Sequence, residues 1–147
     1  MKEIINEITQ KDDKAAYNKT KEIAAESECS NAYYSYLDDF ALLLSNKNSY
    51  IRTRAFILCC CQAKWDDGKM KEILPSMYKM FNDPKATVVR QCLKAIKEVV
   101  VYCPDEAMNI LVAIEDIDLT NYTSAMSQLI TKDIEELKQL INEQLNH

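Results

Sequence analysis

The sequence contains very little glycine and proline, with one glycine and three prolines in 147 residues. Tight β-hairpins need residues that adopt positive φ, and glycine is the usual one. This scarcity excludes a hairpin-rich β fold. Alanine, leucine, isoleucine, lysine, glutamate and methionine, which favour helices, are plentiful instead. The sequence therefore predicts an all-α fold, and its length is a common size for one domain.

Histidine is equally scarce, because His147, the last residue printed, is the only one. No Ser–His or Cys–His catalytic pair can therefore be placed on a rigid element, and Gly68 alone cannot form a glycine-rich phosphate loop. Adjacent carboxylates such as Asp38 and Asp39 are explained by helix capping and solubility. We predict a protein without enzymatic activity and without a bound cofactor or metal.

Long apolar runs are absent as well. No stretch approaches the roughly 20 apolar residues that a transmembrane helix needs. The N-terminal stretch MKEIINEITQ alternates charged and apolar residues and lacks the continuous apolar core of a signal peptide. The sequence therefore predicts a cytoplasmic protein that is not associated with a membrane.

The cysteines show no CxxC spacing, which favours free thiols over disulfides in a reducing compartment. They are Cys29, Cys59, Cys60, Cys61, Cys92 and Cys103. Three of them are consecutive in the apolar stretch FILCCCQAKW. Successive helical side chains point about 100° apart, so these three thiols cannot converge on one metal ion. We predict that they fill the core, and that Cys29, near a helix end, is accessible.

Charge is distributed unevenly along the chain. The formal net charge is −5, but residues 1–46 sum to −4, residues 47–102 to +6 and residues 103–147 to −7. The net negative charge argues against generic binding to nucleic acid or to anionic lipid. The basic middle segment between acidic ends is the sharper signal for recognition.

Apolar residues recur at helical spacing about every 37 residues. The first set is Tyr33, Tyr36, Leu37, Phe40, Leu43 and Leu44. One step reaches Met70, Ile73, Leu74, Met77, Met80 and Phe81, and the next reaches Ala107, Ile110, Leu111, Ile114 and Ile117. Each unit therefore contains two amphipathic helices, A and then B, which bury their apolar faces only by stacking on neighbouring units.

The repeat divides a single domain, residues 1–147, into an atypical N-terminal capping pair and three repeats. The pair covers residues 1–30, and the repeats cover 31–66, 67–104 and 105–147. Helices are predicted near 2–9, 13–27, 31–44, 49–64, 68–81, 86–102, 105–115 and 121–145, with a break in the last near Thr131 left open. Candidate N-caps are Ser49, Asp67, Asp105 and Thr120. We predict an α–α superhelix of about four stacked antiparallel helix pairs, with the B helices on the concave side.

The segment MYKMFNDPKATVVRQCLKAI carries the pattern of a known repeat. Pro75 precedes it in the A helix, Asp83 lies in the turn, and Arg90 follows paired apolar residues of the B helix. This unit resembles a HEAT repeat. The segment LLLSNKNSYIRTRAFIL resembles the same unit with Arg52 in the arginine position, whereas the third unit has Ser127. The resemblance covers about residues 31–141.

The stretches NSYIRTR, QAKWD and QLITKDIEEL are also similar to stretches of small uncharacterised bacterial HEAT-like proteins. Resemblance to this armadillo-like family implies an α-solenoid that acts as a scaffold for protein–protein interactions. Some members bind nucleic acid instead, such as the HEAT-like alkylpurine DNA glycosylases.

Basic side chains of the middle segment form the predicted binding surface, with one tryptophan as an aromatic anchor. The set is Arg52, Arg54, Trp65, Arg90, Lys94 and Lys97. We predict that it binds an acidic surface or peptide of a protein partner. This set of residues is called the predicted stripe here. The alternative is that the predicted stripe binds nucleic acid. A structural alternative is that Arg52 and Arg90 bond to carbonyls or aspartates of neighbouring repeats.

Overall fold

The computed structural model describes residues 2–146, and that range is all-helical with no strand, which confirms the predicted fold class. Nine α-helices follow one another in the described range. They are α1 (Lys2–Thr9), α2 (Asp13–Ser27), α3 (Leu37–Leu42), α4 (Ser49–Cys61), α5 (Met70–Tyr78), α6 (Ala86–Ala95), α7 (Lys97–Tyr102), α8 (Ala107–Glu115) and α9 (Ser124–Leu145).

Several predicted helices are shorter than expected because their ends are 3-10 turns. These turns are Tyr34–Tyr36, Leu43–Ser45, Ala63–Trp65, Lys79–Asn82, Pro104–Glu106 and Leu119–Asn121. All six fall inside segments predicted as α-helix or overlap their ends. Apolar periodicity therefore does not distinguish an α turn from a 3-10 turn at a helix end.

One prediction about helix continuity is wrong, and one that the sequence left open is decided. The segment predicted as one helix at 86–102 is divided at Ile96 into α6 and α7, with no proline or glycine at the division. Conversely, α9 continues through Thr131, whose Oγ1 donates a hydrogen bond of 2.8 Å to the carbonyl of Ser127 within the helix. That hydroxyl is satisfied by the preceding turn, so it does not interrupt the helix.

The four predicted N-caps are also wrong, because the residues at the N-cap positions of α4 and α5 are Asn48 and Lys69. Asn48, not Ser49, caps α4, and its Oδ1 accepts from the backbone N–H of Tyr50 at 2.8 Å. Asp66, not Asp67, accepts from the N–H of Gly68 at 3.0 Å. Gly68 has φ of 116°, the one positive φ in the described range, and it lets the chain reverse before α5. Asp105 and Thr120 lie inside 3-10 turns.

Helix pairs lie side by side in chain order. The helices α2, α4, α6 and α9, here called the B layer, contact one another in succession. The helices α1, α3 and α8 pack on α2, α4 and α9, and the 3-10 turn after α5 packs on α6. These contacts are the ones that stacked pairs require. The superhelical course of the stack, the unit boundaries and the HEAT assignment stay predictions.

One apolar core runs through all the pairs, and α4 lies in its middle. The fully buried side chains include Phe40, Phe56 and Phe81, and the rings of Phe56 and Phe81 meet edge to face with centroids 6.0 Å apart. Cys59 and Cys60 are also buried, while Cys61 is half-buried. The prediction that the consecutive thiols fill the core is confirmed for the first two.

Ion pairs and polar contacts join the units outside this core. Arg52 donates from Nη2 and Nε to Asp83 Oδ2, at 2.7 and 3.1 Å, and from Nη1 to two carbonyls of the turn before α4. Asp83 is buried, and its Oδ1 also accepts from the backbone N–H of Lys85. The carbonyl of Asp83 accepts from Tyr122 Oη at 2.6 Å.

We predict that Asp83→Ala lowers the free energy of unfolding by about 3 kcal/mol, because it leaves the Arg52 guanidinium without its carboxylate partner in a mostly buried site. The matched control is Asp38→Ala, which removes an exposed pair with Lys69 and is expected to cost less than about 1 kcal/mol. Urea denaturation followed by circular dichroism measures both values. Equal losses in the two variants would contradict the structural role of Asp83.

Candidate functional site

Two of the six predicted binding residues are held by carboxylates of the next unit. Arg52 pairs with Asp83, and Arg90 Nε donates to Asp133 Oδ2 at 2.7 Å. Both aspartates are buried. The two guanidinium groups are therefore part of the packing between units, which is the structural alternative that the sequence left open. An acidic partner that bound them would compete with buried carboxylates.

The other predicted residues differ in their surroundings. Lys97 Nζ lies 3.6 Å from Glu136 Oε2, and Arg54 is buried beside Asp13. Trp65 is half-buried, and its indole N–H donates to the carbonyl of Ser27 at 2.7 Å, so it fastens the first pair to the second. Of the five predicted basic residues, Lys94 alone is exposed and makes no ion pair with the described residues.

A groove of about 690 Å³ lies across the first turns of α2, α4 and α6. It is called the B-layer groove here. Its lining residues are Asp13, Lys14, Tyr17, Ser49, Tyr50, Thr53, Arg54, Ile57, Lys85, Thr87, Val88 and Gln91. The volume is within the usual range of ligand sites, and three helices of one layer supply the walls. Of the six predicted binding residues, only Arg54 lines this groove.

The groove is cationic in a chain whose net charge is negative. Lys14, Arg54 and Lys85 face one carboxylate, Asp13. Lys85 Nζ donates to Ser49 Oγ at 2.9 Å and lies 5.8 Å from the centre of the Tyr50 ring. This cation–π contact places a lysine charge beside an aromatic face at the groove wall.

Two exposed tyrosines border the groove. Tyr17 of α2 is 50% exposed and Tyr50 of α4 is 62% exposed. Large aromatic side chains that stay exposed beside a cavity are typical anchors for a binding partner, because burying them on binding releases water from a large apolar area. The groove therefore combines aromatic contact area with positive charge.

Arg54 lies at the wall of the groove with little compensation for its charge. Its side chain is 4% exposed, and Nη2 donates to Asp13 Oδ1 at 3.3 Å. Asp13 is half-exposed, and the buried Arg54 Nε has no hydrogen-bond partner among residues 2–146. A buried guanidinium with one long contact is destabilising for the fold, because the loss of its hydration is only partly offset.

The groove residues could have been found from the repeat. Asp13, Ser49 and Thr87 are equivalent positions of three successive units, and so are Lys14, Tyr50 and Val88, and also Tyr17, Thr53 and Gln91. Following charge along each B helix separately misses this set, because each helix with its flanking residue contributes only one or two charged side chains. Comparing the same position across neighbouring units reveals one continuous surface.

A second cavity, of about 330 Å³, brings Cys29 and Cys61 to one surface with Glu28 and Glu98. Burial raises the pKa of Cys61 to about 12, and the charge of Glu98 adds to this effect. Burial also raises the pKa of the Cys103 thiol to about 12. The thiols of Cys61 and Cys103 therefore remain protonated at neutral pH and are poor nucleophiles.

The part of the chain that the structure describes shows neither a cluster of three metal-ligating side chains nor a helix long and apolar enough to cross a membrane. His147, the residue on which the argument against a histidine-based catalytic pair depends, lies outside residues 2–146. The predicted cytoplasmic location stays a prediction.

Comparison with known proteins gives no relative from which a function could be transferred. No family model, no curated protein and no solved structure matches the chain. The candidate site therefore rests on the geometry and chemistry of the B-layer groove.

We predict that one thiol, Cys29, reacts rapidly with an aromatic disulfide reagent in the native protein at pH 8, because Cys29 is exposed and four of the other five cysteines are buried. Half-buried Cys61 is expected to react slowly, because its pKa is raised to about 12. All six thiols should react after unfolding in guanidinium chloride. The control Cys29→Ser should abolish the rapid phase, and a rapid phase that survives in it would contradict the assignment.

Proposed function

We propose that this protein is a non-enzymatic interaction module that binds an acidic segment of a protein partner in the B-layer groove. The observation that carries the proposal is the combination of Lys14, Arg54 and Lys85 with the exposed rings of Tyr17 and Tyr50 around one groove. The predicted stripe is a weaker candidate, because Arg52 and Arg90 already pair with buried aspartates.

The dimensions of the B layer favour an extended segment as the occupant. Neighbouring packed helices lie about 8–10 Å apart, so a chain that crosses α2, α4 and α6 spans roughly 20 Å. An extended segment advances about 3.3 Å per residue, so about six residues fill that span. Such a segment passes both tyrosines and all three cations. This mode of binding agrees with the scaffold role that the sequence resemblance to HEAT-like proteins implies.

Nucleic acid is the second candidate occupant, and one observation favours it. Exposed tyrosines beside cations are also the means by which proteins stack and neutralise single-stranded nucleic acid. The acidic flanks of the chain limit this alternative, because residues 103–147 carry a formal charge of −7 that repels a long polyanion.

We predict that Lys14→Glu weakens binding of a short fluorescent glutamate-rich peptide by about tenfold, because the change places a like charge beside the ligand. Fluorescence anisotropy at low salt measures the affinity. The matched control is Lys94→Glu, a change of the same charge at an exposed B-layer residue that does not line the groove. The Lys94→Glu variant should bind the peptide with the same affinity as the unchanged protein.

The same titrations distinguish the groove from the predicted stripe as the binding site, and an acidic peptide from nucleic acid as the ligand. Loss of affinity in Lys94→Glu but not in Lys14→Glu would move the site from the groove to the predicted stripe. Tighter binding of a labelled single-stranded oligonucleotide, with affinity falling steeply as salt rises, would favour the nucleic-acid alternative. Binding of neither probe would reject the proposed function.

A further inference from the structure

The Arg54 guanidinium has few hydrogen-bond acceptors among the described residues. Five N–H groups of a guanidinium can donate, yet the described contacts of Arg54 consist of one 3.3 Å hydrogen bond to Asp13, and Nε is buried without a partner. The residue is 3% exposed. A desolvated arginine with so little compensation is better stabilised by an anion that enters from outside.

The surroundings of Arg54 fix the charge that such an anion should have. Lys14 and Lys85 line the same groove, and Asp13 is the one carboxylate among the lining residues. Three cations and one anion leave a local charge of +2. A phosphate monoester carries about −1.5 to −2 at neutral pH, whereas a carboxylate neutralises only half of the surplus. A guanidinium also binds phosphate oxygens through two parallel N–H donors.

The positive charge of the B layer is densest in the groove. Outside it, Arg52, Arg90 and Lys97 each pair with a carboxylate of the next unit, and Lys94 is a single exposed cation. A long polyanion would therefore meet one cationic patch and then mostly compensated charge, whereas a single dianionic group is neutralised within the patch. The chemistry favours one phosphate carried on an acidic peptide over a nucleic-acid backbone.

We propose that the B-layer groove contains a phosphate subsite, in which Arg54, Lys14 and Lys85 bind a phosphorylated side chain of the partner segment. This inference rests on the proposed function and specifies its ligand. The half-exposed Asp13 carboxylate turns toward solvent when phosphate binds, which frees Arg54 Nη2 for the ligand. Tyr17 and Tyr50 contact the peptide on either side of the phosphorylated residue.

The first experiment uses small anions. Phenyl phosphate is expected to raise the melting temperature of the protein, because a ligand that binds only the folded state stabilises it, and benzoate at equal ionic strength is expected to raise it far less. Lys14→Gln and Lys85→Gln should each weaken phenyl phosphate binding by about threefold to fivefold, whereas the control Lys94→Gln should leave it unchanged. Equal effects of phenyl phosphate and benzoate would overturn the subsite.

Arg54→Met gives an independent test with a distinctive signature. Replacing a poorly compensated buried charge with an apolar side chain of similar length is expected to keep or raise the melting temperature without ligand. The same variant should lose the stabilisation by phenyl phosphate. A variant that keeps that stabilisation would overturn the role of Arg54, and if it fails to fold, the two lysine variants decide.

The second experiment uses peptides to separate this inference from the proposed function. An acidic peptide with a central phosphoserine should bind about tenfold more tightly than the same peptide with serine, and more tightly than the peptide with glutamate. Equal binding of the three peptides would overturn the phosphate subsite and leave the proposed function intact. Binding of none of them would reject both, and preferential binding of a phosphorylated oligonucleotide would reassign the subsite to nucleic acid.

Discussion

Asp83 is the residue through which three successive units of the chain are fastened to one another. Its carboxylate accepts from Arg52 of the preceding unit and from the backbone of its own turn, and its carbonyl accepts from Tyr122 of the following unit. A helix pair cannot bury its apolar face alone, so the pairs must stack, but apolar contacts between helices do not by themselves fix one register. Directional bonds to a single buried aspartate supply that register.

The same constraint explains why the candidate site lies where it does. Arg52 and Arg90 are the most obvious binding residues by charge and spacing, and the fold uses both of them to join units. What remains for recognition is the surface over the first turns of the B layer, where Lys14, Lys85 and the two tyrosines are exposed and make no ion pair with the described residues. Arg54 belongs both to the contacts between units and to the groove. It is buried, and it also lines the groove.

Much of the fold follows from the sequence because helix formation here is dictated by apolar periodicity, and the repeat identifies which faces are buried. The division at Ile96 could not be predicted, because no proline or glycine marks it. The sequence places Arg54 in the basic binding surface by its charge alone, and its burial does not follow from the sequence because arginine is rarely buried without a strong partner. The groove itself is predictable in principle, since nine of its twelve lining residues occupy equivalent positions of the predicted repeat.

Trp65 is the only tryptophan of the chain, and its indole N–H bonds to the end of α2 across the junction between the first two pairs. The indole N–H of this fluorophore thus depends on the contact between the first two pairs. Its emission wavelength follows the docking of the N-terminal pair, whereas far-ultraviolet ellipticity follows helix content along the whole chain. Separate melting curves from these two signals would distinguish fraying at one end of the stack from cooperative collapse of all its pairs.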